Sequence, residues 1–359
     1  VTSGLPPLSG AAPGPRRLLP ILGGVAAAIV VLVLAAIVWA ALAWAGPGPA
    51  KQDTTVVLAR GSGVAGIAAQ LEQTHVVGSA GAFRLFAKLT GADRKIRAGE
   101  YAFPAHASLA KVLNMMATGQ IVRHWITVAE GMTSAQVKAR LDASDVLDGP
   151  VDLPPEGALL PQTYEVVRGE ARVQVVAAMR QARDATLDRL WAGRAPGLPV
   201  RTPEEAMILA SIVEKETGVP AERARVAAVY ENRLVKGMRL EADPVVAYGV
   251  SGGLPLGHGL TRSELERVTP YNSYRVAGLP PTPIANPGEA SIAAVLHPAQ
   301  TQDLYFVANG TGGHSFSATY EEHAKNVERW RTIESSRKPQ AVKTETTTTT
   351  RAERPRPRR

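Results

Sequence analysis

The segment richest in chemical content is RTPEEAMILASIVEKETGVPAE, residues 201–222, which carries Glu214 and Glu216 at the end of an apolar run. Thr202 suits an N-cap, Pro203 the first helical position, and Glu205 completes a Thr-x-x-Glu capping box. Gly218 offers a left-handed C-cap with Pro220 beyond it, so the pattern predicts a helix over about residues 203–217. Carboxylates in a last helical turn face the negative end of the dipole, which disfavours their ionisation, the more so when buried. A carboxyl that keeps its proton near neutral pH is what a general acid needs. The competing reading is a surface charge cluster neutralised by Lys215 and solvent. At about 100° per residue, Glu216 falls over Leu209, Ile212 and Val213, the centre of the apolar stripe. Glu214 falls on the flank beside Met207 and Ala210, where small neighbours leave room for a cleft. Periodicity leaves the choice between the two open.

Other chemistries are poorly supplied. The chain has no cysteine, which removes disulfides, thiolate metal sites and a cysteine nucleophile. His297, His314 and His323 lack ligand-like spacing, so no metal is expected and a loop hydrogen bond is the expectation for His314. Arg233 and Asp243 suggest a structural ion pair.

The elements that position the two glutamates read as follows. After Pro154 the pattern is mainly helical, over residues 171–192, 203–217, 221–236 and 262–267, with a strand at 304–308 and a closing helix at 319–333. Residues 240–288 are dense in Gly, Pro, Tyr, Asn and Asp, the composition of a binding or catalytic surface. Upstream, strands at 54–59, 100–103 and 121–128 alternate with helices at 64–72, 80–89 and 108–116. VVLARGSGVAGIAAQLE (56–72) and ITVAEGMTSAQVKARLD (126–142) echo one another as strand, turn and helix, which fits a small α+β module used twice, the first copy serving as glycan binder or spacer.

Of the net charge of +8, six come from residues 337–359, where eight Lys/Arg face two Glu around a threonine run. That composition cannot bury enough surface to fold, so the basic excess belongs to a tail and does not signal nucleic acid. Residues 21–45 carry no charge and are long enough to cross a bilayer, with Trp39 and Trp44 towards the far end. Arg16 and Arg17 precede this run and favour a cytoplasmic N-terminus. A cleaved signal peptide is the alternative, against which the length of the run weighs.

Four stretches carry a resemblance: LASIVEKETG (209–218), YENRLVKGMRLEADPVVAYG (230–249), TPYNSYRVAGLPPTPIANPG (269–288) and LHPAQTQDLYFVANGTGGHSFSATYEEHAKNVERW (296–330). Together they resemble the endolytic murein transglycosylase (YceG-like) family over about residues 54–333, and PEGALLPQTY (155–164) looks like a degraded copy of a further motif. The resemblance implies an α+β inner-membrane enzyme. Its parts would be a cytoplasmic segment 1–17, a transmembrane helix 18–45, a LysM-like subdomain 46–125, a mainly helical catalytic domain 126–336 with a loop-rich cleft, and a disordered basic tail 337–359. It implies cleavage of glycan strands between N-acetylmuramic acid and N-acetylglucosamine to leave 1,6-anhydromuramoyl ends, without metal or organic cofactor, with peptidoglycan synthases as candidate partners. It places the catalytic acid/base on Glu214, the first glutamate of Glu-Lys-Glu-Thr. Asn232, Tyr271, Asn272 and Tyr274 match motif positions suited to sugar contacts, with Glu156, Tyr164 and Glu216 completing the substrate-binding set. For these residues structural roles are the alternative, with Asn272 fixing a turn and the tyrosines packing under the Pro-rich loop. Ala158, Gln162 and Thr282 depart from the family pattern on that side of the cleft. A hydrolytic muramidase using a second carboxylate, Glu156 or Asp243, and a non-catalytic glycan-binding scaffold are the competing functions.

Overall fold

A computed structural model describes residues 18–59 and 61–336. The expected cytoplasmic segment and basic tail lie outside the described residues. The chain divides into two compact units, the first holding residues up to 126 with 144–150 and 165–172, the second holding 127–143, 151–164 and the remainder.

In the first unit, α1 (Leu18–Ala45) begins the described chain. Its 22 residues from Gly24 to Ala45 are long and apolar enough to cross a membrane, and none of them is buried in protein. Only at its end does it meet the unit, where the Trp44 ring lies 5.1 Å from that of Phe86. Strands β1 (Thr54–Leu58) and β2 (Gly99–Phe103) pair antiparallel, with α2 (Val64–Gln73) and α3 (Ala80–Thr90) between them in sequence and α4 (Leu109–Thr118) after them. Ser79 and Ser108 cap α3 and α4 by accepting from the backbone N–H groups of Ala82 and Lys111. The apolar stripe of α2 buries Ile67, Ala68 and Leu71 against Phe83, Tyr101 and Phe103. The LysM-like subdomain is expected over 46–125; the compact unit also takes in 144–150 and 165–172. From the latter, Arg168 reaches Glu100 at 2.9 Å, and His124 reaches the same carboxylate at 2.6 Å.

After α4 the chain forms β3 (His124–Thr127), α5 (Ser134–Asp142), β4 (Leu147–Asp148), β5 (Thr163–Val166) and β6 (Glu170–Ala171). The second unit then follows mainly as helices: α6 (Arg172–Ala192), α7 (Pro203–Glu216), α8 (Arg223–Val235), α9 (Asp243–Ser251), α10 (Arg262–Glu266) and α11 (Glu289–Leu296). Hairpin strands β7 (Tyr305–Ala308) and β8 (His314–Ser317) and α12 (Tyr320–Ser336) close it. Its core is α7 laid against α8 and α11, with Leu209, Ala210, Ile212, Val226, Ala227 and Ile292 fully buried. A helix with this much apolar surface is held by packing rather than by propensity.

Several local expectations are corrected. Glu205 accepts from Arg201 N–H instead of from the cap residue, so the Thr202 cap is not a full box. Gly218 is not left-handed: α7 stops because Thr217 turns extended, and its hydroxyl then accepts from Val219 N–H. Arg233 pairs with Glu241 and not with Asp243. The loop-rich segment after 240 contains α9 as well as α10, and α11 and β8 were not anticipated.

Candidate active site

The end of α7 sends its two glutamates to different environments. Glu216, the last residue of the helix, lies opposite α8, and Tyr230 of α8 donates a 2.7 Å hydrogen bond to its Oε1. Part of Glu216 opens into a cavity of about 350 Å³ whose walls include Tyr230, Arg233, Asp243, Tyr274 and His323. Burial pushes the Glu216 carboxyl up to about 7, and the negative charge of Asp243 adds to this. The Tyr230 hydroxyl, His314 and Arg233 pull the other way. Burial outweighs these aids because a carboxylate removed from water loses more solvation than a single phenol returns.

The cavity walls are held from several elements. Tyr274 donates 2.7 Å to Asp243 Oδ1 at the start of α9, and burial followed by that carboxylate raises its phenol. Arg233 holds several carbonyls: its Nε donates to Leu304 O, and one terminal nitrogen to Arg239 O, Leu240 O and Glu241 Oε2. It clamps the bend at Glu241, where φ is +52°, a strained value for a residue with a side chain. His314 is tied to Glu222 at 2.7 Å, the loop hydrogen bond expected for it. His323 stacks on Tyr305 at 5.0 Å, and burial holds its pKa below the usual histidine range.

Glu214 is not among the residues walling this cavity. Its side chain is buried, with 6% exposed, and its Oε2 accepts from Gly288 N–H at 3.0 Å while Oε1 stands 3.9 Å from Arg223. Arg223 also faces Glu130 at 3.6 Å. Glu214 therefore ties the start of α11 to the end of α7. A Cβ on Gly288 would fall 2.0 Å from the Glu130 carboxylate, so a larger residue there would have to displace that side chain.

The remaining expected site residues divide. Tyr274 joins Glu216 at the cavity. Asn272 is 1% exposed and fixes a turn, donating to the carbonyls of Leu265 and Arg267 and accepting from Tyr274 N–H. Asn232 donates to Thr301 O and Asp303 O and anchors the loop before β7. Tyr164 is buried and donates to Leu160 O, with its phenol pushed up to about 12 by burial. Tyr271 bonds Thr282 at 2.8 Å with its ring against Tyr248. Glu156 accepts from Ser134 N–H at 2.7 Å, and burial raises its pKa. It lines a separate cavity of about 400 Å³ with Arg180, Arg183, Ala158 and Thr282. Tyr230 and His323 are not among the expected site residues, although Tyr230 opens the motif at 230–249 and His323 stands out only for lacking ligand-like spacing.

Residues 56–329 match the model of the YceG-like family. An endolytic murein transglycosylase of Bacillus subtilis is 29% identical over 313 residues, covering 78% of this chain and 85% of that protein. An endolytic murein transglycosylase of Streptococcus pneumoniae is 28% identical over 230 residues, covering 62% of this chain and 38% of that longer protein. A solved YceG-like protein of Listeria monocytogenes is 29% identical, covering 77% of this chain and 99% of that one, with a TM-score of 0.47. The chain thus belongs to the YceG-like family.

Proposed function

We propose that this chain is a peptidoglycan lytic transglycosylase, a lyase that cuts within glycan strands between N-acetylmuramic acid and N-acetylglucosamine, with Glu216 as its acid/base. The observation that carries the reading is a carboxyl held near pKa 7 at the wall of a polar cavity. The names of the relatives support the substrate class.

Protonated Glu216 donates to the bridging oxygen, so that the N-acetylglucosamine side departs as an alcohol. The C6 hydroxyl of the muramic residue then bonds to its own C1 and returns its proton to the Glu216 carboxylate. One acid is regenerated, no water is consumed, and the product ends in a 1,6-anhydro ring. Intramolecular attack gains from proximity once the ring is held in a reactive shape. Glu214, the acid/base that the family resemblance implies, stands as the alternative; its oxygens are engaged by Gly288 and approached by Arg223, which favours Glu216.

The apolar helix α1, preceded by Arg16 and Arg17, supports a single-pass anchor in the plasma membrane with the rest of the chain outside. The β1–α2–α3–β2 unit is read as the LysM-like, glycan-binding part, and membrane-bound peptidoglycan synthases as partners. A second reading is favoured by Asp243: a carboxylate in the same cavity could activate water, giving a hydrolytic muramidase.

Digestion of purified sacculi by wild type, Glu216→Gln and Glu214→Gln, with product ends identified by mass, tests these assignments. Anhydro ends are expected from wild type and Glu214→Gln and none from Glu216→Gln. Reducing ends from wild type would establish the muramidase, and activity in Glu216→Gln would return the acid role to Glu214.

A further inference from the structure

Glu231 sits on α8, one residue after Tyr230, and faces away from the chemistry proposed above. It lines a different cavity of about 410 Å³, bounded by α8 and by the loops that follow α6 and α11. The residue is 5% exposed, and its Oε1 is wholly covered and has no hydrogen-bond partner. Burial alone pushes its carboxyl up to about 8. No Lys, Arg or His stands among the residues lining the cavity, so nothing there neutralises it. An isolated buried carboxyl is costly and has no evident structural use.

The cavity is built in advance. Ala195 N–H donates to Leu296 O, Ala299 N–H to Ala224 O, and the Asn232 amide to Thr301 O and Asp303 O, so both loops are pinned to helices. Gln300 and Gln302, both exposed, also line it. No aromatic ring lines it, which leaves no face for a sugar, a guanidinium or a quaternary ammonium to stack upon. Among the described residues no group of three or more His, Asp or Glu could hold a metal ion. What remains is a compact cation with several donors.

We propose that this cavity binds a primary ammonium group at the end of a short aliphatic arm, held by the Glu231 carboxylate. On binding, the Glu231 proton passes to solvent and the ammonium becomes its counter-charge. If the proposed substrate is correct, amine-bearing peptide arms of peptidoglycan are the matching ligand; this last step alone rests on that reading.

The probe is Nα-acetyl-lysine amide, titrated by calorimetry and ligand-observed NMR into the full chain in detergent, against Nα-acetyl-norleucine amide, which keeps the arm and lacks the amine. Saturable binding of the lysine probe is expected, at least tenfold weaker for the norleucine probe and for Glu231→Gln. Equal binding of the two probes, no binding to wild type, or full affinity in a folded Glu231→Gln would overturn the proposal. The probe comparison on wild type stands even if the variant misfolds. Failure here leaves the Glu216 assignment untouched, since that is read from product masses.

Discussion

The phenol of Tyr230 donates to Glu216 Oε1 at 2.7 Å from the facing helix. The bond favours the ionised form of Glu216, while burial and Asp243 favour the protonated form. The balance near 7 leaves the group able both to give and to take back a proton in one cycle.

Activity should therefore fall as pH rises above about 7, where Glu216 loses its proton. The profile of kcat/KM against pH, measured on isolated glycan strands, checks this. A basic limb lying well above pH 8 would place the acid elsewhere.

Tyr230→Phe and Asp243→Asn should move that limb in opposite directions. Removing the phenol donor takes away a stabiliser of the carboxylate and shifts the limb to higher pH. Removing the Asp243 charge shifts it to lower pH. Parallel shifts of the same sign would contradict the electrostatic account.

Stability should carry the same signature. The folded-state pKa of Glu216 is raised above its ordinary value, so its contribution is fully present below about 4.5 and is lost as pH rises through about 7. Glu216→Gln, which cannot ionise, should melt at a higher temperature than wild type at pH 8 and close to it at pH 4. Thermal unfolding at the two pH values decides.

Glu214→Gln should keep at least a tenth of wild-type activity yet lower stability by about 1–3 kcal/mol, since a charged acceptor of the Gly288 N–H is lost from a buried site. Denaturant titration and sacculus digestion on the same preparation separate the two effects.

Gly157→Ala should destabilise by about 1–3 kcal/mol or more. Gly157 has φ of +73°, and an added Cβ would fall 2.5 Å from Cγ of Pro283, a ring that cannot swing aside. Chemical denaturation measures it.

The amino-acid order by itself determined the long apolar helix α1, the limits of most helices and the start of α7, because these depend on local composition, periodicity and caps. It also carried the family resemblance, whose four motifs run through the second unit. Gly218 misled because a glycine permits a left-handed cap without requiring one, and here the Thr217 hydroxyl bond to Val219 N–H accompanies an extended exit. Helix α9 hid in a Gly- and Tyr-rich stretch because it is anchored by burial of Val245 and Val246 and not by strong propensity. Which glutamate faces the cavity was decided only in three dimensions. Periodicity gives a direction around the axis of α7, whereas the phenol of Tyr230, the charge of Asp243 and the Gly288 N–H that claims Glu214 arrive from α8, α9 and the start of α11. A carboxyl's readiness to hold a proton depends on what stands opposite it, and that is a property of packing.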